Sequence, residues 1–253
     1  MNMEDLSMQN LQGKTVREIA LEMPITTRVF EEFKIDYCCH GNTLFDEACR
    51  NVGANPEAVM QKIDSVVEIL GNEELDWLSD TTLCELLDYI QDKHHTYTKQ
   101  ELEQLPQLME KVASRHGEHY PNLFELKDLL QAVCDDLGPH LIKEEMVLFP
   151  YIEELEKNFS KQLMISPSPF GSVLNPVRMM RMEHEEVGEL LMKMRAISND
   201  YTLPEGACPS FTALYHRLSE LERDLHQHIH LENNLLFPRA VEMEQKAFSP
   251  SVH

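Results

Sequence analysis

Apolar residues recur at three- and four-residue intervals along most of the chain, while one-for-one apolar/polar alternation is scarce. That period gathers apolar side chains on one face of a helix, so the chain is predicted to be all-α. Four long amphipathic patterns cover about 80–112, 122–158, 173–198 and 209–246. The breaks between them, "HGEHYPN", "ISPSPFGSVLNP" and "SNDYTLPEGACP", are rich in turn formers. Four amphipathic helices with short connections predict an antiparallel four-helix bundle. Upstream, "TVREIALEMPITTRVFEEF" reads as two short helices with Thr15 as N-cap. "NTLFDEACRNVG" and "NPEAVMQKIDSVVEILG" supply two more, the latter with Asn55 as cap and Pro56 at its first position. A boundary near Gly71 and Asn72 is expected to separate a small helical domain, residues 1–70, from the bundle, residues 72–250.

Two stretches of the bundle repeat each other. "HLIKEEMVLFP" and "HIHLENNLLFP" both carry His-x-x-x-Glu followed by Leu-Phe-Pro. His140 and His228, Glu144 and Glu232, and Phe149 and Phe237 are each 88 positions apart (228 − 140 = 88). A constant offset with constant chemistry predicts one helical hairpin used twice about an approximate two-fold axis.

Histidine and glutamate four apart share one helix face. Val133, Leu137 and Val147 flank His140 at helical spacing, and Leu221, Leu225 and Leu235 flank His228. Both pairs therefore lie on apolar stripes and are expected to be buried. A buried glutamate needs a cation or a dense set of hydrogen bonds. The same phasing puts His94 on a stripe with Leu87, Ile90 and Tyr97, and His184 on one with Val177 and Leu191. His95 falls beside Asp88, Gln91 and Lys99 and is expected to face water. His94 precedes His140 by 46 residues (140 − 94 = 46), and His184 precedes His228 by 44 (228 − 184 = 44), in keeping with the repeat. His226 and His230 have no counterpart in the first copy and are read as flanking residues.

The inward set is then His94, His140, Glu144, His184, His228 and Glu232. Four imidazoles and two carboxylates suit two metals, each with two histidines, bridged by the carboxylates. Nitrogen and oxygen donors without thiolate point to iron or manganese, with zinc as a further option. No His-Glu-x-x-His occurs, which removes the zinc-protease reading.

Composition narrows the partners. The formal net charge of the 253 residues is −22, so nucleic acid and anionic membranes are excluded as partners by repulsion. No apolar run is long enough to span a bilayer, and "MNMEDLSMQN" lacks the basic and apolar regions of a signal peptide. Six cysteines in a chain of this size are too sparse for a disulfide scaffold and are read as reduced thiols of a cytoplasmic protein. Cys38 and Cys39 are adjacent in "IDYCCHGN". Joined, they would close a strained ring, so an easily reduced disulfide or a pair of thiols is expected. With Asn42 or Thr43 capping the helix through "LFDEAC", the pair would sit before a helix N-terminus, whose partial positive charge favours thiolate. Cys49, Cys84, Cys134 and Cys208 are assigned to cores or helix ends.

The motifs "HLIKEEMVLFP", "MEHEEVGELL" and "HIHLENNLLFPRA" resemble those of the iron–sulfur cluster repair di-iron proteins, the RIC family, and the C-terminal two thirds resembles a hemerythrin-like domain. The resemblance extends through the first 70 residues. It implies a centre of two non-haem irons on the six inward residues, and redox-active or iron-handling thiols at Cys38 and Cys39. It implies repair of iron–sulfur proteins damaged by nitric oxide or oxidants, with nitric oxide or oxygen as small ligand, while the assembly is left open, a homodimer being one option. The alternative is a hemerythrin-like sensor or carrier without turnover. One departure from oxygen-carrying hemerythrins is visible: the residue four after His184 is Gly188 and not a histidine, which leaves an iron more open.

Overall fold

The structure is a computed structural model that describes residues 11, 13–70, 81–161, 163 and 168–248. The expected boundary at Gly71 and Asn72 lies outside the described residues. The described residues are almost wholly helical and include no strand, only one isolated bridge between Thr15 and Leu44. They form two compact units. One holds the described residues up to Thr82 together with Ile229–Leu235; the other holds Leu83–His228 and the described residues from Leu236 onward.

The first unit contains α1 (Val16–Glu22), α2 (Thr26–Phe33), α3 (Phe45–Asn51) and α4 (Pro56–Leu70). Thr15 caps α1 as expected: its hydroxyl accepts from the Glu18 N–H and the Glu18 carboxylate accepts from the Thr15 N–H. The core gathers Val16, Ile19, Phe30, Tyr37, Phe45, Cys49, Val59 and Ile63, with Ile229 among them. The segment before α3 is pinned by backbone hydrogen bonds from Val16 to Thr43, from Arg17 to Gly41 and from Phe45 to Lys14. Gly41 cannot carry a side chain there, since a Cβ would fall 2.6 Å from the Tyr37 carbonyl oxygen and 3.0 Å from Arg17 Cβ. Gly41→Ala is therefore expected to destabilise the fold by about 1–3 kcal/mol, as overpacking does. Denaturant unfolding measures it, and an unchanged midpoint would mean the segment yields.

The second unit is built on the bundle helices α5, α6, α7 and α8, save the Ile229–Leu235 stretch of α8, which groups with the first. Helix α5 runs through Leu83–Tyr89, a π turn at Ile90–His95, and Thr96–His116. Helix α6 comprises Asn122–Lys143, a π turn at Glu144–Leu148, and Phe149–Ser160. Helix α7 is Leu174–Ile197, unbroken. Helix α8 comprises Pro209–Leu231, a π turn at Glu232–Leu236, and Phe237–Phe248. The repeat explains two of the three π turns. Pro150 and Pro238 have no N–H for the carbonyl four residues back, and the turn before each loosens. In α6 the Phe149 N–H reaches the Glu144 carbonyl, five residues back. The bundle core is built by Leu105, Met109, Leu123, Leu126, Leu130, Leu137, Leu191, Phe211, Leu218 and Leu225, all buried.

Candidate metal centre

Each π turn advances the inward face by one residue, and this decides which side chains meet. Beyond the π turn of α6, Leu148 is buried at 1% exposure while Val147, expected inside, is 49% exposed. In α8, Leu236 is buried and Leu235 only half so. In α5, Thr98 is buried in place of Tyr97. Helix α7 has no such turn, and there Val177, His184 and Leu191 line up inward as a regular period requires.

The expectation that His95 faces water is corrected by this shift. His95 is fully buried, with its Nε2 3.1 Å from His228 Nε2. His94 is buried as well but turns elsewhere: its Nδ1 lies 3.0 Å from Asp224 Oδ1, and its ring stacks on that of His228 at 5.8 Å. Two groups of side chains offer donor atoms within 4.8 Å of one another. One is His95, Glu144, His228 and Glu232; the other is His140, Glu144, His184 and Glu232. All are buried, and the two glutamates are common to both groups. Of the six residues expected from the sequence, five are gathered here, and His95 stands where His94 was placed.

The second pair of imidazoles mirrors the first, His184 Nε2 lying 3.1 Å from His140 Nε2. Glu144 Oε2 is 3.5 Å from His95 Nε2 and 3.3 Å from His140 Nε2. Both Glu144 oxygens are buried and accept no hydrogen bond among the described residues. Outer carboxylates orient two of the rings. His95 Nδ1 meets Glu145 at 2.9 Å, and His140 Nδ1 meets Glu183 at 2.8 Å. Lys99 pairs with Glu145 at 2.6 Å, and Lys143 pairs closely with Glu183. Burial opposes ionisation of Glu145 and Glu183, but the lysine and histidine beside each outweigh it and hold both carboxyls below their usual range. A carboxylate at Nδ1 keeps the proton there, so Nε2 presents its lone pair inward. Converging lone pairs, two buried carboxylates and no thiolate fit non-haem iron or a similar divalent cation at each group.

Glu145 and Glu183 were not singled out by sequence reasoning. They directly adjoin Glu144 and His184, but their pairing with His95 and His140 crosses between helices, which no local pattern encodes. Glu183→Gln is expected to weaken metal binding about 10–100-fold, the usual cost of losing such a partner. Competition with a chromophoric chelator reads this; an affinity equal to wild type would assign Glu183 to the Lys143 pair alone.

The thiols stand in the first unit. Cys38 is buried and Cys39 half-buried. Neither is in a disulfide, and their sulfurs are 3.7 Å apart. The expected capping by Asn42 or Thr43 is not found: α3 starts after Leu44, with no side-chain cap. Instead the Asp36 carboxylate accepts the backbone N–H groups of Cys38, Cys39 and His40 at 2.9–3.2 Å. The expectation of an acidified pair fails at Cys38. Its contact with Cys39, burial and the charge of Asp36 push its thiol well above the usual range. Asn233 and Asn234 donate their side-chain amides to the carbonyls of Cys38 and Tyr37. His230 meets the Asn234 side-chain amide at Nδ1 at 2.8 Å and packs edge-on against the Tyr37 ring. Cys49 lies in the core of the first unit as expected, Cys134 packs on the bundle core, and Cys208 meets His116 at 3.1 Å.

Comparison with known proteins covers both units. Residues 86–240 match the model described as the hemerythrin HHE cation binding domain, and residues 12–67 match a domain described as being of unknown function, DUF542. A probable iron-sulfur cluster repair protein of Haemophilus influenzae is 32% identical over 88% of this chain and 95% of its own length. The iron-sulfur cluster repair protein ScdA of Staphylococcus haemolyticus is 31% identical over the same shares. The iron-sulfur cluster repair protein YtfE of Yersinia pseudotuberculosis is 30% identical over 92% of this chain and 99% of its own. With its cation-binding bundle and its thiol segment both matched, the chain belongs to the iron–sulfur cluster repair family of hemerythrin HHE proteins.

Proposed function

We propose that this chain is a di-iron protein that repairs iron–sulfur clusters damaged by nitric oxide or oxidants. The observation that carries the reading is the pair of buried two-histidine sets sharing Glu144 and Glu232. His95 and His228 would hold one iron, His140 and His184 the other, and the two glutamates would bridge them. Iron bound there supplies an exchangeable position for a diatomic ligand and a change of valence. The chain's own groups do the rest. Glu145 and Glu183 keep the protons on His95 and His140 at Nδ1. The buried walls keep bulk water from the carboxylates, and Gly188 adds no side-chain donor at the His184 iron. Cys38 and Cys39 carry iron or electrons towards the damaged cluster.

Anaerobic metal analysis should find about two irons per chain, from two ligand sets of the kind nitrogen and oxygen donors give. Removing them leaves Glu144 and Glu232 buried without a cation, so chelated protein is expected to melt below the loaded form. An equal midpoint for both forms would show that the carboxylates do not depend on metal. Reactivation of a nitric-oxide-damaged iron–sulfur enzyme tests the function itself. A protein that binds nitric oxide but never restores the enzyme would be a sensor or carrier.

A further inference from the structure

The loop Asp36–His40 holds a second constellation of donors, separate in chemistry from the bundle. Asp36, Cys38 and Cys39 offer one carboxylate oxygen and two sulfurs within 4.8 Å of one another. We propose that these three side chains form a binding site for a single thiophilic divalent cation, Zn²⁺ or Fe²⁺, with its fourth position open to an incoming ligand. The inference deepens the thiol role proposed above, though the binding itself stands on the geometry of this loop.

Three features carry it. The first is the sulfur spacing. Two thiolates on a tetrahedral cation with bonds of about 2.3 Å are about 3.8 Å apart, and Cys38 Sγ and Cys39 Sγ are 3.7 Å apart. Adjacent cysteines can take many rotamers, and here both sulfurs already lie on one side of the loop. The second is the third donor. Cys38 Sγ is 3.4 Å from Asp36 Oδ1, and the thiol proton on that line occupies the space a cation would take. On binding, each thiol gives up its proton to solvent, two sulfur–metal bonds form, and the Asp36 lone pair that faced the Cys38 thiol turns to the cation. The loss of two protons balances the charge of a divalent ion. The third is the frame. Backbone N–H groups of Cys38, Cys39 and His40 hold the Asp36 carboxylate, and side-chain amides of Asn233 and Asn234 hold the Cys38 and Tyr37 carbonyls, all within the first unit. Donors so restrained lose little freedom on binding.

The same frame makes the site labile. Asp36 spends its oxygens on three N–H groups and on His40 Nδ1 at 2.7 Å, so it is a weak third ligand. Cys39 is half-buried and His40 exposed, which leaves the cation reachable by an outside thiolate or sulfide. A site with two strong ligands, one weak and one open can pass its ion on, as a chain that returns iron to clusters requires.

Co²⁺ titration of the full-length, iron-loaded protein tests this, because neither histidine–glutamate group of the bundle holds a sulfur donor and neither can give a thiolate-to-cobalt charge-transfer band. One equivalent of Co²⁺ per chain should raise that band in the near ultraviolet. Cys38→Ser with Cys39→Ser should abolish it, and Asp36→Asn should weaken binding while keeping it. Zn²⁺ on the unmodified protein should in turn slow alkylation of Cys38 and Cys39, and not of Cys49 or Cys134, a readout that does not depend on any variant folding. No band, a band that survives the double serine variant, or alkylation unaffected by Zn²⁺ would overturn the site. Cluster repair is scored separately. Repair without a cobalt band removes this site and leaves the function, whereas a cobalt band without repair removes the function and leaves the site.

Discussion

His95→Ala is expected to strip iron from the bundle, whereas His94→Ala keeps it near the wild-type level. The two residues are adjacent, equally buried, and both imidazoles, so the comparison isolates direction. His95 points its Nε2 to within 3.1 Å of His228 Nε2 and 3.5 Å of Glu144. Its loss leaves one group with a single histidine, and the fall in affinity should exceed the 10–100-fold cost of losing an outer partner. His94 bonds to Asp224 and stacks on His228, so its removal alters packing around a ligand and supplies no ligand vacancy. Iron content per chain after gel filtration, read with the electronic spectrum of the bound iron, decides it. Equal retention in both variants would remove His95 from the metal. Greater loss in His94→Ala would restore the regular helical phase that the π turn at Ile90–His95 displaces.

The second large effect concerns the thiols. The double change Cys38→Ser, Cys39→Ser is expected to keep the iron content of the unmodified protein and to lose nearly all reactivation of a damaged iron–sulfur enzyme. No cysteine lies in either group of bundle donors, so iron content should not move. Serine keeps the shape of each side chain but cannot form a thiolate at neutral pH, so neither iron transfer nor electron relay through sulfur remains. Cys38 holds its proton more tightly than an ordinary thiol, with Cys39 and burial as the causes. Its chemistry is therefore expected to grow as pH rises, or once a cation compensates the charge. Full reactivation by the double serine variant would take the thiols out of the mechanism and place repair in the bundle alone. Iron loss in that variant would show that the segment bears on the bundle's ligands.

The outcome for His94 and His95 shows where sequence reasoning reaches its end. The repeat of His-x-x-x-Glu with Leu-Phe-Pro was legible because each copy sits on its own helix and its chemistry is local. From that alone His140, Glu144, His228 and Glu232 are expected to face inward, and all four are buried. The regular period of α7 likewise turns His184 inward, where it is buried. The prolines at 150 and 238 do carry a trace of the π turns, since a missing N–H forces the preceding turn to adjust. In α5 no proline follows the π turn directly, and a strict 3.6-residue period there selects His94, whereas His95 is the one that meets His228 and Glu144. The helix through "LFDEAC" forms, but the expected capping by Asn42 or Thr43 failed for a related reason. Asn42 and Thr43 are good caps, but the backbone there pairs with α1, through Val16 to Thr43 and Arg17 to Gly41, and that tertiary pairing overrides the local preference.

By itself, then, the sequence determined an all-α chain, its four long and four short helices, the duplicated hairpin and the kind of donors at its centre. These follow from periodicity, caps and spacing, which act within a few residues. Tertiary structure alone decided which atoms face one another. It turned His95 inward and His94 towards Asp224, paired Glu145 with His95 and Glu183 with His140 across helices, and drew the Cys38 and Cys39 sulfurs to 3.7 Å over Asp36. The physical reason is that a donor's direction depends on the helix phase at its own turn and on a partner far away in the chain. Both are fixed only when apolar faces close on each other and every buried polar atom must find its match.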